Sequence, residues 1–298
     1  MVEYAESNYQ GFKCQQIRNQ RISLWVTLDV GPRVIGLEMA GGENLMVVLP
    51  DAKIPVEGAK DYSLRGGHRL WYAPEKPETT YIADDHPVEY CQIKNGLEVV
   101  QEPDQKTGIQ KSWKMILDEE EAKVTINHQL YHTGGEPFRL APWAVTMLQP
   151  GGIGVIPLQI EDADPNGLWP NRGLVFWPYT NLASPFLEIR NEAVFVQANL
   201  KDGALKIGAP NPKGWIAYSI DESLFIKKAV YDPGAEYLDM RASSQIYTNP
   251  TVIELETLGP EVDLQPGEST VHTETWQIYS QGEWPSEIGE YFDQIRMK

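Results

Sequence analysis

Short runs of alternating apolar and polar residues fill most of the chain, and turn-forming residues separate them. Residues 22–28 form a β-branched and aromatic run that ends at Gly31-Pro32. Residues 34–39 follow and end at Gly41-Gly42-Glu43-Asn44, so the pair predicts two successive antiparallel strands. The same pattern predicts strands over 96–100, 109–117, 123–131, 144–148 and 193–198. The C-terminal third adds 214–220, 224–229, 252–258 and 270–279. Helical periodicity is confined to the tail, 285–297, where Ile288, Tyr291, Phe292 and Ile295 recur at three- and four-residue steps. Glycine and proline are spread along the chain instead of pooling in a linker, and no repeat of 20–50 residues stands out. Many short strands with one late helix imply an all-β chain, a large sandwich or barrel built as one domain over 1–298.

Two strands carry patterns with chemical content. In 124–132, alternation places Val124, Ile126, His128, Leu130 and His132 on one face. In 252–258 it places Glu254 and Glu256 together, opposite Ile253, Leu255 and Thr257, so that face borders solvent or lines a polar cleft.

Charge narrows the partners. Lys and Arg number 25 against 42 Asp and Glu, a net charge of −17. Such a surface repels phosphate backbones and anionic lipid heads, which argues against nucleic acid and membrane partners, while leaving neutral ligands such as saccharides unaffected. It also favours solubility. No apolar run approaches the roughly 20 residues needed to span a bilayer. The first residues, Met1 to Ser7, are polar and acidic, unlike a signal peptide. Cys14 and Cys91 stand apart and do not suggest a disulfide framework or a zinc knuckle. A cytoplasmic location is the expectation.

Four stretches carry a family resemblance. They are Gly66-Gly67-His68-Arg69-Leu70-Trp71-Tyr72-Ala73-Pro74-Glu75, then Ala141-Pro142-Trp143-Ala144-Val145-Thr146-Met147, then Tyr247-Thr248-Asn249 leading into Glu254-Leu255-Glu256-Thr257-Leu258-Gly259-Pro260, and finally Leu264-Gln265-Pro266-Gly267-Glu268 with His272, Glu274 and Trp276. In this order the chain resembles an uncharacterised domain family of the galactose mutarotase-like, or aldose 1-epimerase-like, superfamily, from about residue 22 to 279. The resemblance implies a large antiparallel supersandwich with a short C-terminal helix, whose concave sheet holds a carbohydrate site. Aldose 1-epimerases use a late-strand Glu, within Glu-Thr-Gln, as general base, and Glu256-Thr257-Leu258 falls at that place. The histidine that such enzymes carry after the middle strand would fall near Trp143.

Mutarotation needs a base for the anomeric hydroxyl and an acid for the ring oxygen, both flanking one ring and both tuned near the working pH. Glu256 as base with His68 as acid is the expected pair, imidazole being the natural acid at neutral pH. Arg69, which alternation turns away from His68, could bind sugar hydroxyls through its planar fork or form a structural salt bridge. Trp71 and Trp143 could stack on a pyranose or fill the core. Glu254 shares the Glu256 face, and Trp177, with Trp169, lies in a run that could form a lip over the cleft. His128 and His132 are about 13 Å apart on an extended strand, too far to ligate one ion, and Asp162 and Asp164 read as an acidic turn. No metal site and no cofactor are expected; the partner is a small saccharide or derivative. Two functions follow: an epimerase using Glu256 and His68, or a saccharide-binding protein without turnover. Trp143, in place of a histidine, favours the second. The separation of Glu256 from His68 discriminates between them.

Overall fold

The computed structural model describes residues 1–296, without the side chains of Gln294 and Arg296. Two large sheets form the molecule. One has eleven strands, and at its centre Val34–Met39, His68–Ala73, Phe138–Leu148, Val252–Leu258, Ser244–Asn249 and Leu205–Ala209 lie side by side. The other has ten, with Trp215–Ile220, Ser223–Ala229, Ser269–Ser280, Lys123–His132 and Ile109–Leu117 adjacent in that order. The central pairings are antiparallel. This is the antiparallel sandwich that the resemblance implies, one of the two architectures, sandwich or barrel, that the strand pattern leaves open.

The period-2 pattern assigns each face. From the eleven-stranded sheet, Leu70, Tyr72, Ala144, Leu148, Ile253 and Leu255 turn inward, and Trp113, Ile126, Leu130 and Trp276 meet them from the ten-stranded sheet in one buried core. Each fully buried Leu or Ile there contributes about 1.5–3 kcal/mol relative to exposure. His128 and His132 lie on the same inward face of Lys123–His132, as alternation predicts, and both are buried. The tail helix, Ser286–Arg296, lays Ile288 and Phe292 on the outer face of the ten-stranded sheet against Val155, Phe195 and Leu224. The expected residue Met297 falls outside the described residues.

Some boundaries differ for physical reasons. The strand expected over 144–148 begins at Phe138. It pairs with Val262–Leu264 through Leu140 and with Val252–Leu258 from Trp143, so Pro142, which has no N–H to donate, sits at the change of partner. The first two strands, Glu3–Tyr9 and Phe12–Arg18, are joined at Gly11 with φ +89°. Glu3–Tyr9 is a polar edge strand, and its alternation carries little apolar signal. No helix among the described residues is long and apolar enough to cross a membrane.

Candidate functional site

The strand His68–Ala73 is reached through a glycine pair at which any side chain would be strained. Gly66 and Gly67 have φ +82° and +69°, and a Cβ on them would lie 2.1 Å from the Val47 carbonyl oxygen and 2.2 Å from that of Val34. The chain therefore turns sharply from the hairpin formed by Val48–Ile54 and Tyr62–Gly66 into the sheet. Beyond that turn, alternation sends His68 and Leu70 inward and Arg69 and Trp71 outward. Val145 fixes the register of the outer face, facing Arg69 on one side and Glu256 on the other.

That outer face holds a pocket of about 570 Å³. Trp71 and Trp143, directly opposite each other, pack with ring centroids 5.2 Å apart, and Tyr81 meets Trp71 edge-on at 5.5 Å. Tyr179 and Tyr247 line the other end, in edge contact at 6.3 Å. The hairpin contributes Leu49, Ile54 and Leu64 to the wall. Trp71 is anchored from behind: its Nε1 donates to the Tyr62 hydroxyl at 3.1 Å, which also accepts from Arg33, and Arg33 bonds Asp84 at 2.8 Å.

Two ion pairs cross the floor. Arg69 Nη2 donates to Glu254 Oε1 at 3.2 Å, and the guanidinium carbon stacks 3.8 Å from the Trp71 ring centroid. Its Nε and Nη1 are buried with no hydrogen-bond partner. Glu256 Oε2 accepts from Trp143 Nε1 at 2.7 Å and Lys206 Nζ at 2.8 Å, while its Oε1 is buried and unpartnered. Burial pushes the Glu256 carboxyl up, to about 7, against the opposing pull of Lys206 and with a further push from Glu254. The Lys206 ammonium lies 4.9 Å and 4.6 Å from the Trp143 and Trp177 rings. The Arg69 pair thus leaves two donor atoms unpartnered and the Glu256 pair one acceptor.

The expected acid is on the wrong side. His68 is fully buried between the sheets, on the face of its strand opposite Arg69, whereas Glu256 belongs to the outer face of Val252–Leu258. A packed sheet separates them, and no sugar ring can touch both, so the Glu256–His68 pair does not form. None of the residues lining the pocket is a histidine. Arg69, Trp71, Trp143 and Glu254 do converge on the pocket, and Trp177 reaches it through Lys206. Trp169 is largely exposed, at 69%.

His68 instead joins a polar cluster inside the core. His128 Nδ1 lies 3.0 Å from the His272 carbonyl oxygen, which can only accept, so His128 carries its proton on Nδ1. Its Nε2 then accepts from His68 Nε2 at 2.7 Å, and His68 Nδ1 accepts from the Thr146 hydroxyl at 2.9 Å. Thr257 donates to Glu274 and accepts from His272 Nε2 at 2.8 Å. Lys227 Nζ stands 2.8 Å from Glu274 Oε1 and donates to the Ala144 and Leu255 carbonyls at 2.8 and 3.1 Å. Burial holds all three imidazoles below their usual range, His68 well below and His128 and His272 at about 4. Burial opposes ionisation of Glu274, but Lys227 and the neighbouring imidazoles prevail and its carboxyl is lowered.

His68, His128 and Glu274 place one ligand atom each within 4.8 Å of the others, a donor set of metal type. It fits an ion poorly. Two imidazole nitrogens bound tetrahedrally at about 2.0–2.1 Å would stand roughly 3.3 Å apart, whereas these are in direct hydrogen-bond contact at 2.7 Å. The Lys227 ammonium already supplies the cation that Glu274 requires. Asp164 is a turn-former: its Oδ1 accepts from the Leu168 and Trp169 amides at 2.7 and 2.8 Å.

Lys206, Tyr81, Tyr179 and Tyr247 are site residues that the sequence reading did not single out. Lys206 was findable, since alternation in Leu205–Ala209 puts a lone lysine among apolar neighbours. A larger hollow, about 820 Å³, lies between the loops 102–108 and 132–138, away from the aromatic wall and the two ion pairs.

No protein-family model matches the chain, and no curated protein matches its sequence. Solved structures do match its fold. A galactose mutarotase-like protein from Lactobacillus casei superposes with a TM-score of 0.56 at 9% identity, covering 89% of this chain and all of the other. A protein of Escherichia coli K12 described as a candidate aldose 1-epimerase gives 0.54 at 10% identity, covering 94% and 100%. A TPR-domain containing protein from Parabacteroides distasonis gives 0.61 at 15% identity; the match covers 92% of this chain but only 49% of that one, so the chain spans about half its length. The chain has the galactose mutarotase-like fold.

Proposed function

Proceeding from this fold, we propose that the chain binds a saccharide in the outer-face pocket, and that binding, not anomer exchange by a carboxylate–imidazole pair, is its function. The observation that carries the reading is the set of buried, unpartnered polar atoms beneath an aromatic wall: Arg69 Nε and Nη1 as donors and Glu256 Oε1 as acceptor. A sugar hydroxyl donates and accepts at once, so vicinal hydroxyls can meet Arg69 and Glu254, which line the pocket, while Glu256 lies behind the lining and bears on it through Trp143 and Lys206. The aromatic faces suit the apolar face of a pyranose. Trp143, where an epimerase would carry a histidine, instead holds Glu256 in place through its indole N–H.

A second reading rests on Glu256 itself. A carboxyl raised to about 7 can exchange protons near neutrality without a histidine. One experiment separates the two: calorimetric titration and NMR exchange spectroscopy with common aldoses and uronic acids, on wild type and Glu256→Gln. Binding without accelerated anomer exchange is the expected result. Exchange that is accelerated by wild type and lost in Glu256→Gln, with affinity retained, would establish the second reading. Absence of binding across the panel would remove both.

A further inference from the structure

We infer that the pocket takes a saccharide of two or three units laid across the strands, not a lone ring; the inference rests on the saccharide reading above. The pocket is not local to one strand pair. Trp71, Trp143, Glu254, Tyr247 and Lys206 line it, one from each of five neighbouring strands in the order His68–Ala73, Phe138–Leu148, Val252–Leu258, Ser244–Asn249, Leu205–Ala209. Strands lie about 4.8 Å apart, so four steps across the sheet cover about 19 Å. With single bonds of about 1.5 Å, a pyranose spans roughly 5 Å between its linking oxygens. One ring therefore fills a fraction of the span.

The arrangement of side chains along that span supports the same length. Trp71, with Trp143 and Tyr81 against it, makes an aromatic station at one end. Tyr247 with Tyr179 makes a second. Trp71 and Tyr247 sit three strands apart, about 14 Å between their backbones by the same spacing, nearly three times the span of one ring. Between the stations lie Glu254 and Glu256, met by Arg69 from the Trp71 strand and by Lys206 from the strand beyond Tyr247. A lone ring would leave one aromatic station and part of the polar floor unused. A chain of two or three units places an apolar ring face on each station and hydroxyls over the floor. The cavity of about 570 Å³ also lies within the roughly 300–1,000 Å³ of pockets that enclose drug-sized ligands.

The test is calorimetric titration of the full chain with linear gluco-, manno-, galacto- and xylo-oligosaccharides of one to four units. In the series that binds, affinity is expected to rise at least tenfold from one unit to three and to change less than twofold from three to four. Tyr179, half-exposed, can be removed with little risk to folding: Tyr179→Ala is expected to weaken the trisaccharide about tenfold and the monosaccharide by much less. Equal affinity for one and three units, or an equal loss for both in Tyr179→Ala, would overturn the inference while the saccharide reading stands. No binding at any length would overturn both.

Discussion

Lowering the pH from 7 to 5 loads protons onto the unfolded chain that the buried histidines refuse. His128 and His272 hold pKa values of about 4 in the fold, against about 6.5 unfolded. Between those values the unfolded state binds more protons, so stability rises with pH and is lost as pH falls through the window from about 6.5 to 4. Linkage gives a loss of about 2 kcal/mol per histidine between pH 7 and 5, and His68, also depressed, acts with the same sign. Glu256 works the other way: its carboxyl is raised to about 7, so the folded state gains about 2 kcal/mol over the same interval as that group protonates. Relief of repulsion among the surface carboxylates adds to Glu256's side. Glu256→Gln removes the main offset and should steepen the loss by about 2 kcal/mol. The assay is urea unfolding of wild type and Glu256→Gln at pH 7, 6 and 5, with imidazole shifts followed by NMR. A stability in Glu256→Gln that stays flat or rises as the pH falls would refute the reasoning. So would His128 or His272 titrating near 6.5 in the native protein.

Two further outcomes follow from the buried ion pair and the glycine turn. Lys227→Met strands the Glu274 charge in the core, which should cost about 3–5 kcal/mol; Lys227→Met with Glu274→Gln should recover part of this in urea unfolding, whereas simple addition of the two single losses would show that the ion pair is not what Lys227 serves. Gly67→Ala drives a Cβ to 2.2 Å from the Val34 carbonyl oxygen at φ +69°, so a loss of about 2 kcal/mol or more is expected; an unchanged melting temperature would contradict the close approach.

The fold was legible because a two-sheet core imposes period 2 on every strand that faces it. Val34–Met39, Gly96–Val100, Ile109–Leu117 and Val252–Leu258 end where the turn residues predict. Glu3–Tyr9 escaped because an edge strand with little buried surface carries no alternation to read. The site was only half legible, and the cause lies in one strand. Period 2 decides which residues share a face, and it turns Arg69 and Trp71 to one side of the strand and His68 to the other. A site that includes Arg69, Trp71 and His68 from one extended segment contradicts that rule. The motif drew His68 to the ligand, but the geometry of the strand turned it into the core. There it meets His128 through a contact sixty residues away in sequence, which no local pattern announces. The carboxylates obeyed the same rule from the other side: Glu254 and Glu256 alternate with Ile253 and Leu255, so once the aliphatic residues enter the core, both acids must lie on the pocket face. What alternation could not supply was the partner of each acid. Arg69 reaches Glu254 from two strands away and Lys206 reaches Glu256 across Ser244–Asn249, and strand order, unlike strand parity, is not written in any single segment.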